Sequence, residues 1–143
     1  MAKFARTLNA VFLILLLSGC ASVQMPGYIA RMDHPYERKL QGGFEKIVSS
    51  TMYVLKKKGW KIAEESDPSM YERDDRYDNN GYQNLVIITE PRKQWHVAYL
   101  ASVRLNIFIH SSGNNCTLEL RMSTRNDTIA QDLLDQVEAE VNR

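Results

Sequence analysis

Few side chains in this chain could do chemistry, and they are thinly spread. There are two cysteines, Cys20 and Cys116, and three histidines, His34, His96 and His110. A concentration of carboxylates falls in the polar stretch 67–84, where Asp67, Glu72, Asp74, Asp75 and Asp78 stand beside Arg73 and Arg76. A histidine folded over that stretch would make an acid–base pair or part of a metal site. An enzyme or metal-binding protein that uses loop 67–84 with a histidine is therefore the alternative to be tested.

The spacings argue against it. A calcium loop with Gly81 as its sixth residue puts Asp78 and Asn80 at positions three and five. Arg76 then falls at position one and Ile87 at position twelve, where carboxylates are required. A zinc site needs three or four convergent ligands, and the histidines are far apart in sequence. HExxH, CxxC, G-x-S-x-G, Walker A and G-x-G-x-x-G are all missing from the sequence. The expectation is a non-catalytic chain with no metal and no cofactor, its histidines on the surface.

Cys20 stands in a different context. Lys3 and Arg6 are the only charges before it; an apolar segment over 8–17 follows, broken only by Asn9, and then the small residues Ser18 and Gly19. A basic start, a short apolar run and small residues are the layout of an export signal. The dense apolar run, 11–17, is seven residues, against about 20 for a membrane-spanning helix. The segment Leu15-Leu16-Leu17-Ser18-Gly19-Cys20 resembles the lipobox of bacterial lipoproteins. That resemblance implies a diacylglyceryl thioether on Cys20, cleavage between Gly19 and Cys20, and acylation of the freed amine. One acyl chain holds a protein marginally, whereas two or three anchor it stably. Ala21 and Ser22 lack the aspartate that retains such proteins in the inner membrane of enterobacteria, so the resemblance implies the outer membrane, facing the periplasm.

Removing 1–19 leaves 124 residues, one domain's worth. Sixteen basic and seventeen acidic residues remain, so the charge offers no case for nucleic acid. The expected organisation is a signal peptide over 1–19, a lipidated N-terminus and tether over 20–35, and a single α/β domain over 36–143. Pro26, Gly27 and Pro35 interrupt the tether, and a short edge strand over 28–32 is the alternative there.

Within the domain, Phe44, Ile47, Val48, Thr51, Met52 and Leu55 make one helical stripe. The helix falls within 36–58, firm from Phe44, and ends on Lys56-Lys57-Lys58 with Gly59 as the residue just past it. A strand is expected over 60–65, and an apolar strand over 85–89 that Glu90-Pro91-Arg92-Lys93-Gln94 terminates. Strict alternation over 97–109 predicts a long strand with Val103, Leu105, Ile107 and Ile109 on one face. The next strand has Cys116, Leu118, Leu120 and Met122 inward, which predicts a buried thiol. Asn126 or Asp127 caps a last helix whose stripe is Ile129, Leu133, Leu134, Val137 and Val141.

The fold class read from these elements is α+β: a two-layer sandwich in the order α-β-β-β-α, an antiparallel three-stranded meander with both helices on one face. The other face, with Arg104, Asn106, Phe108, Glu119 and Arg121, is expected to be polar and open. Trp95, Arg104 and Phe108 are the candidate partner surface. The helix–strands–helix order is similar to that of small BamC-like domains of outer-membrane assembly lipoproteins. The function implied is a lipid-anchored envelope module that binds a protein or cell-wall partner without catalysis.

Overall fold

A computed structural model describes residues 27–31, 35–73, 82–96 and 99–143. Among the described residues it is an α+β fold of seven strands and two helices. In chain order these are β1 (Tyr36–Gln41), α1 (Phe44–Lys57), β2 (Ile62–Ser66), β3 (Asn84–Thr89), β4 (Arg92–His96), β5 (Tyr99–Val103), β6 (Leu105–Ser112), β7 (Asn115–Met122) and α2 (Asp127–Val141). Five strands form one antiparallel sheet in the order β1-β7-β6-β3-β2, while β4 and β5 pair as a separate hairpin.

The α-β-β-β-α order and the three-stranded meander are therefore corrected. Three physical causes account for the difference. The strand before the first helix, β1, is mostly polar, because it is an edge strand: Leu40 alone is buried in it. Pro91 ends β3, yet β4 starts immediately after it; of the charged residues read as a terminator, Glu90 and Lys93 are exposed, and Arg92 reaches over the Trp60 ring. Finally, the run over 97–109 is two strands. Arg104 interrupts it, with its N–H donating to Ser123 Oγ at 2.9 Å while the Ser123 N–H donates to Arg104 O at 3.0 Å. Beside the break, the Leu105 N–H donates to Thr89 Oγ1 at 3.0 Å.

The side-chain phase survives the break. Ala101, Val103, Leu105, Ile107 and Ile109 all enter the main core, as do Cys116, Leu118, Leu120 and Met122. Both helices cover this face, α1 with Ile47, Val54 and Leu55, α2 with Ala130, Leu133, Leu134, Val137 and Val141. The α1 stripe is centred on Ile47, Thr51, Val54 and Leu55, and Phe44, Val48 and Met52 pack at its border. Thr51 is tolerated inside because its hydroxyl donates to Ile47 O at 2.7 Å.

Topology explains the helix length. Since β1 and β2 lie on opposite edges, α1 must cross the whole sheet. Fourteen residues span about 21 Å, and four inter-strand spacings cover about 19 Å. The ends are set locally. Lys58 N–H donates to Val54 O, Gly59 N–H to Lys56 O and Trp60 N–H to Leu55 O, each at 2.9 Å. Gly59 takes φ +77°, which only glycine adopts freely. At the other helix Asn126 is the cap, accepting from the Ile129 N–H at 3.1 Å.

Leu105, with no exposure to solvent, sits where β6 leaves the hairpin root. We predict that Leu105→Asp costs at least about 4 kcal/mol by burying an unpaired carboxylate. A denaturant midpoint equal to that of the parent chain would refute the placement.

Candidate functional site

The second face of the sheet is not open. On β6 and β7 the side chains opposite the helix-covered core are Asn106, Phe108, Glu119 and Arg121, and all four are buried. What covers them is the segment 27–31, expected as part of a tether, together with Tyr71 and Glu72 beyond β2. A second small core forms here from Val86, Ile88 and Phe108, with Tyr28 and Tyr71 against it.

Arg121 is its centre. Its side chain has no exposure to solvent. Nε donates to Glu119 Oε1 at 2.6 Å, and Nη2 to Glu72 Oε1 at 2.7 Å. Nη1 donates to Glu72 Oε2, the Tyr28 hydroxyl and the Ile29 carbonyl, each at 3.1 Å. The guanidinium lies over the Phe108 ring, 3.8 Å from its centroid. Burial alone would lower the Arg121 pKa; the hydrogen bonds and charges of Glu72 and Glu119 outweigh it and hold the group above its ordinary value.

Asn106 reads the backbone of the same strap. Its Oδ1 accepts from the Ile29 N–H at 2.6 Å, and its Nδ2 donates to Gly27 O at 2.9 Å. One side-chain amide thus satisfies the backbone of two residues, as a neighbouring strand would. Tyr28 stacks on Tyr71 at 5.0 Å, meets Phe108 edge-on, and donates its hydroxyl to Glu72. Burial, then the hydrogen bond to Glu72, pushes the Tyr28 hydroxyl pKa up to about 12. Tyr71 is held in turn by Ser66 and Glu64. Gly27 has φ +109°, and a methyl group on it would lie 3.1 Å from Ile88 Cγ2 and 3.3 Å from Arg104 Nη1.

The sequence-predicted residues fall as follows. Gly19 and Cys20 lie outside the described residues, as do His34, Asp74, Asp75 and Asp78. Trp95 is in β4 opposite Leu100, and His96 ends that strand. Phe108 is 2% exposed; as a surface contact it is corrected, because Tyr28 and Arg121 lie on it. Arg104 is half-buried, and its Nε has no hydrogen-bond partner among the described residues. Trp95, Arg104 and Phe108 therefore do not form one exposed patch. Glu72 and Arg121 were legible only as a loop acid and a face residue, and no local signal joins them.

For acid–base or metal chemistry the structure brings little together. Among the described residues no three His, Cys, Asp or Glu side chains group as metal ligands. Glu72 is bound to Arg121, and Asp67 caps a short turn by accepting from the Ser69 N–H at 2.9 Å. His110 Nδ1 is hydrogen-bonded to Asn84 Oδ1, with Tyr82 beside the ring. Cys116 is buried, and desolvation pushes its thiol pKa up, the setting of an inert core cysteine.

No protein-family model and no curated protein matches this chain. Among solved structures it is similar to the vertebrate conserved region of human METTL16, with a TM-score of 0.48 and 9% identity over 77% of this chain and 96% of that one.

Two outcomes follow from the cluster. Arg121→Met removes a cation 2.6 Å from the buried Glu119 carboxylate and should cost about 3–5 kcal/mol, whereas adding Glu119→Leu should restore much of it; urea unfolding of both variants checks this. The Tyr28 pKa in the fold lies above the ordinary 10.0, so folding favours the protonated hydroxyl. Its contribution is whole below pH 10 and lost as pH rises toward about 12. The stability gap between the parent chain and Tyr28→Phe should narrow across that window and stay constant below it.

Proposed function

We propose that this chain is a bacterial lipoprotein, anchored through lipid on Cys20 to the cell envelope, with the outer membrane's periplasmic side as its location. Its domain acts as a non-catalytic binding or structural module, with an envelope protein or cell-wall material as partner. The observation that carries this reading is the run Leu17-Ser18-Gly19-Cys20 behind a basic start and a short apolar segment.

The packed part of the domain supports the same reading. Every donor group of Arg121 meets a carboxylate, a hydroxyl or a backbone carbonyl of its own chain. A guanidinium held this way fastens the strap and suits structure better than catalysis. The likeness to BamC-like domains rested on the order helix–strands–helix, and with β1 ahead of α1 that order no longer supports it.

Cys20→Ala should abolish incorporation of labelled palmitate, leave residues 1–19 uncleaved, and release the protein from lipid-dependent membrane fractionation. Labelling equal to that of the parent chain would overturn the anchor. Crosslinking in the detergent-solubilised envelope tests the module: a stoichiometric partner is expected, and turnover of a substrate by the purified domain would overturn the non-catalytic role.

A further inference from the structure

The main sheet ends in two edge strands, β1 and β2, and the two edges differ. β2 shifts its register between Ile62 and Glu64, and it carries Glu64 and Glu65 side by side, both exposed. An irregular register and adjacent like charges keep a sheet edge from pairing with another chain. β1 has neither. It holds one register with β7 throughout, from Tyr36 opposite Leu120 to Gln41 opposite Asn115.

One hydrogen bond fixes which backbone groups of β1 point outward. Just past the strand the Gly42 N–H donates to Asn114 O at 3.1 Å, in the register of the β1–β7 ladder. Opposed residues of an antiparallel pair alternate between bonded and non-bonded, so Tyr36, Arg38 and Leu40 bond to β7. Glu37, Lys39 and Gln41 therefore turn their N–H and C=O groups to the outer edge.

The side chains alternate with the same period. Leu40 enters the helix-covered core and Tyr36 packs against it. Arg38 lies on that side too, held by α2 through Asp135 at 2.7 Å and through Glu138. Glu37 and Lys39 lie on the opposite side, both exposed. Glu37 accepts from Arg31 of the strap, whereas Lys39 meets no carboxylate among the described residues.

A strand added to this edge must bond to Glu37, Lys39 and Gln41. An antiparallel copy of β1 does so only when the two-fold axis falls on a residue rather than between two. With the axis on Glu37 two carboxylates face each other, and with it on Lys39 two ammonium groups do. With the axis on Arg38, Glu37 faces the partner's Lys39, Lys39 faces the partner's Glu37, and Tyr36 faces the partner's Leu40. Opposite charges across a strand pair attract and like charges repel. Tyr36-Glu37-Arg38-Lys39-Leu40 is thus complementary to itself in one register, and the two central guanidiniums each bring two carboxylates of their own α2.

We propose that β1 pairs antiparallel with β1 of a second copy of this chain, about a two-fold axis at Arg38. Two five-stranded sheets then become one, with the irregular β2 edges at its ends. Such an isologous contact closes on itself and stops at a dimer. It holds with or without lipid on Cys20.

The test uses the full chain in detergent, with sedimentation reporting the protein mass. The parent chain is expected to be a dimer. Lys39→Glu and Glu37→Lys should each raise the dimer dissociation constant at least about tenfold, with melting curves of the monomers unchanged. The double variant Glu37→Lys/Lys39→Glu should dimerise again. An equimolar mixture of the two single variants should form a heterodimer, because every charge then meets its opposite across the seam. A parent chain that sediments as a monomer at every concentration overturns the proposal. So does a dimer that persists in Lys39→Glu, or a mixture of the single variants that stays monomeric.

Discussion

A guanidinium with no access to water must find its counter-charges inside the fold. Arg121 finds them on its own strand in Glu119 and beyond β2 in Glu72, and it completes its hydrogen bonds on the Tyr28 hydroxyl and the Ile29 carbonyl of the strap. If any of these moved away, a charged or polar group would be left in a dry environment. The second face of the sheet therefore closes as a unit, with strap, loop acid and face residues in place together. Phe108 contributes the floor, since a planar cation over an aromatic ring recovers part of the hydration it loses.

The two faces are built by different physics. On one, helices and strands meet through a continuous apolar core from Leu40 to Val141, where total volume and phase matter more than particular partners. On the other, three buried apolar residues are too few to hold a covering segment, and directional bonds take over. Asn106 and Arg121 bond the strap mostly through its backbone, so the requirement falls on Asn106, on Arg121 and on the absence of a side chain at Gly27.

This arrangement bears on how a lipid-anchored domain would sit. A long free tether would let the domain tumble away from the membrane. With the strap seated, six residues of sequence lie between Cys20 and Gly27, whose carbonyl Asn106 holds. Cohesion of the second face and the placement of a domain anchored at Cys20 would thus depend on the same few bonds.

Much of the fold was legible because it is written in local periodicity. The inward phase of β6 and β7, the stripes of both helices, the Asn126 cap and the Gly59 stop are short-range properties of backbone geometry. The lipobox resemblance is likewise carried by adjacent residues. Strand count was less legible: β1 is polar because one edge faces water, and the turn at Arg104 is made by Ser123 and Thr89, nineteen and sixteen residues from the positions they hold. The fate of the polar face was decided by tertiary structure alone. Alternation shows that Glu119 and Arg121 point away from the helices, but not whether water or protein meets them. That depends on contacts between Arg121 and Tyr28, 93 residues apart, and between Arg121 and Glu72, 49 apart, a separation at which no local pattern carries information.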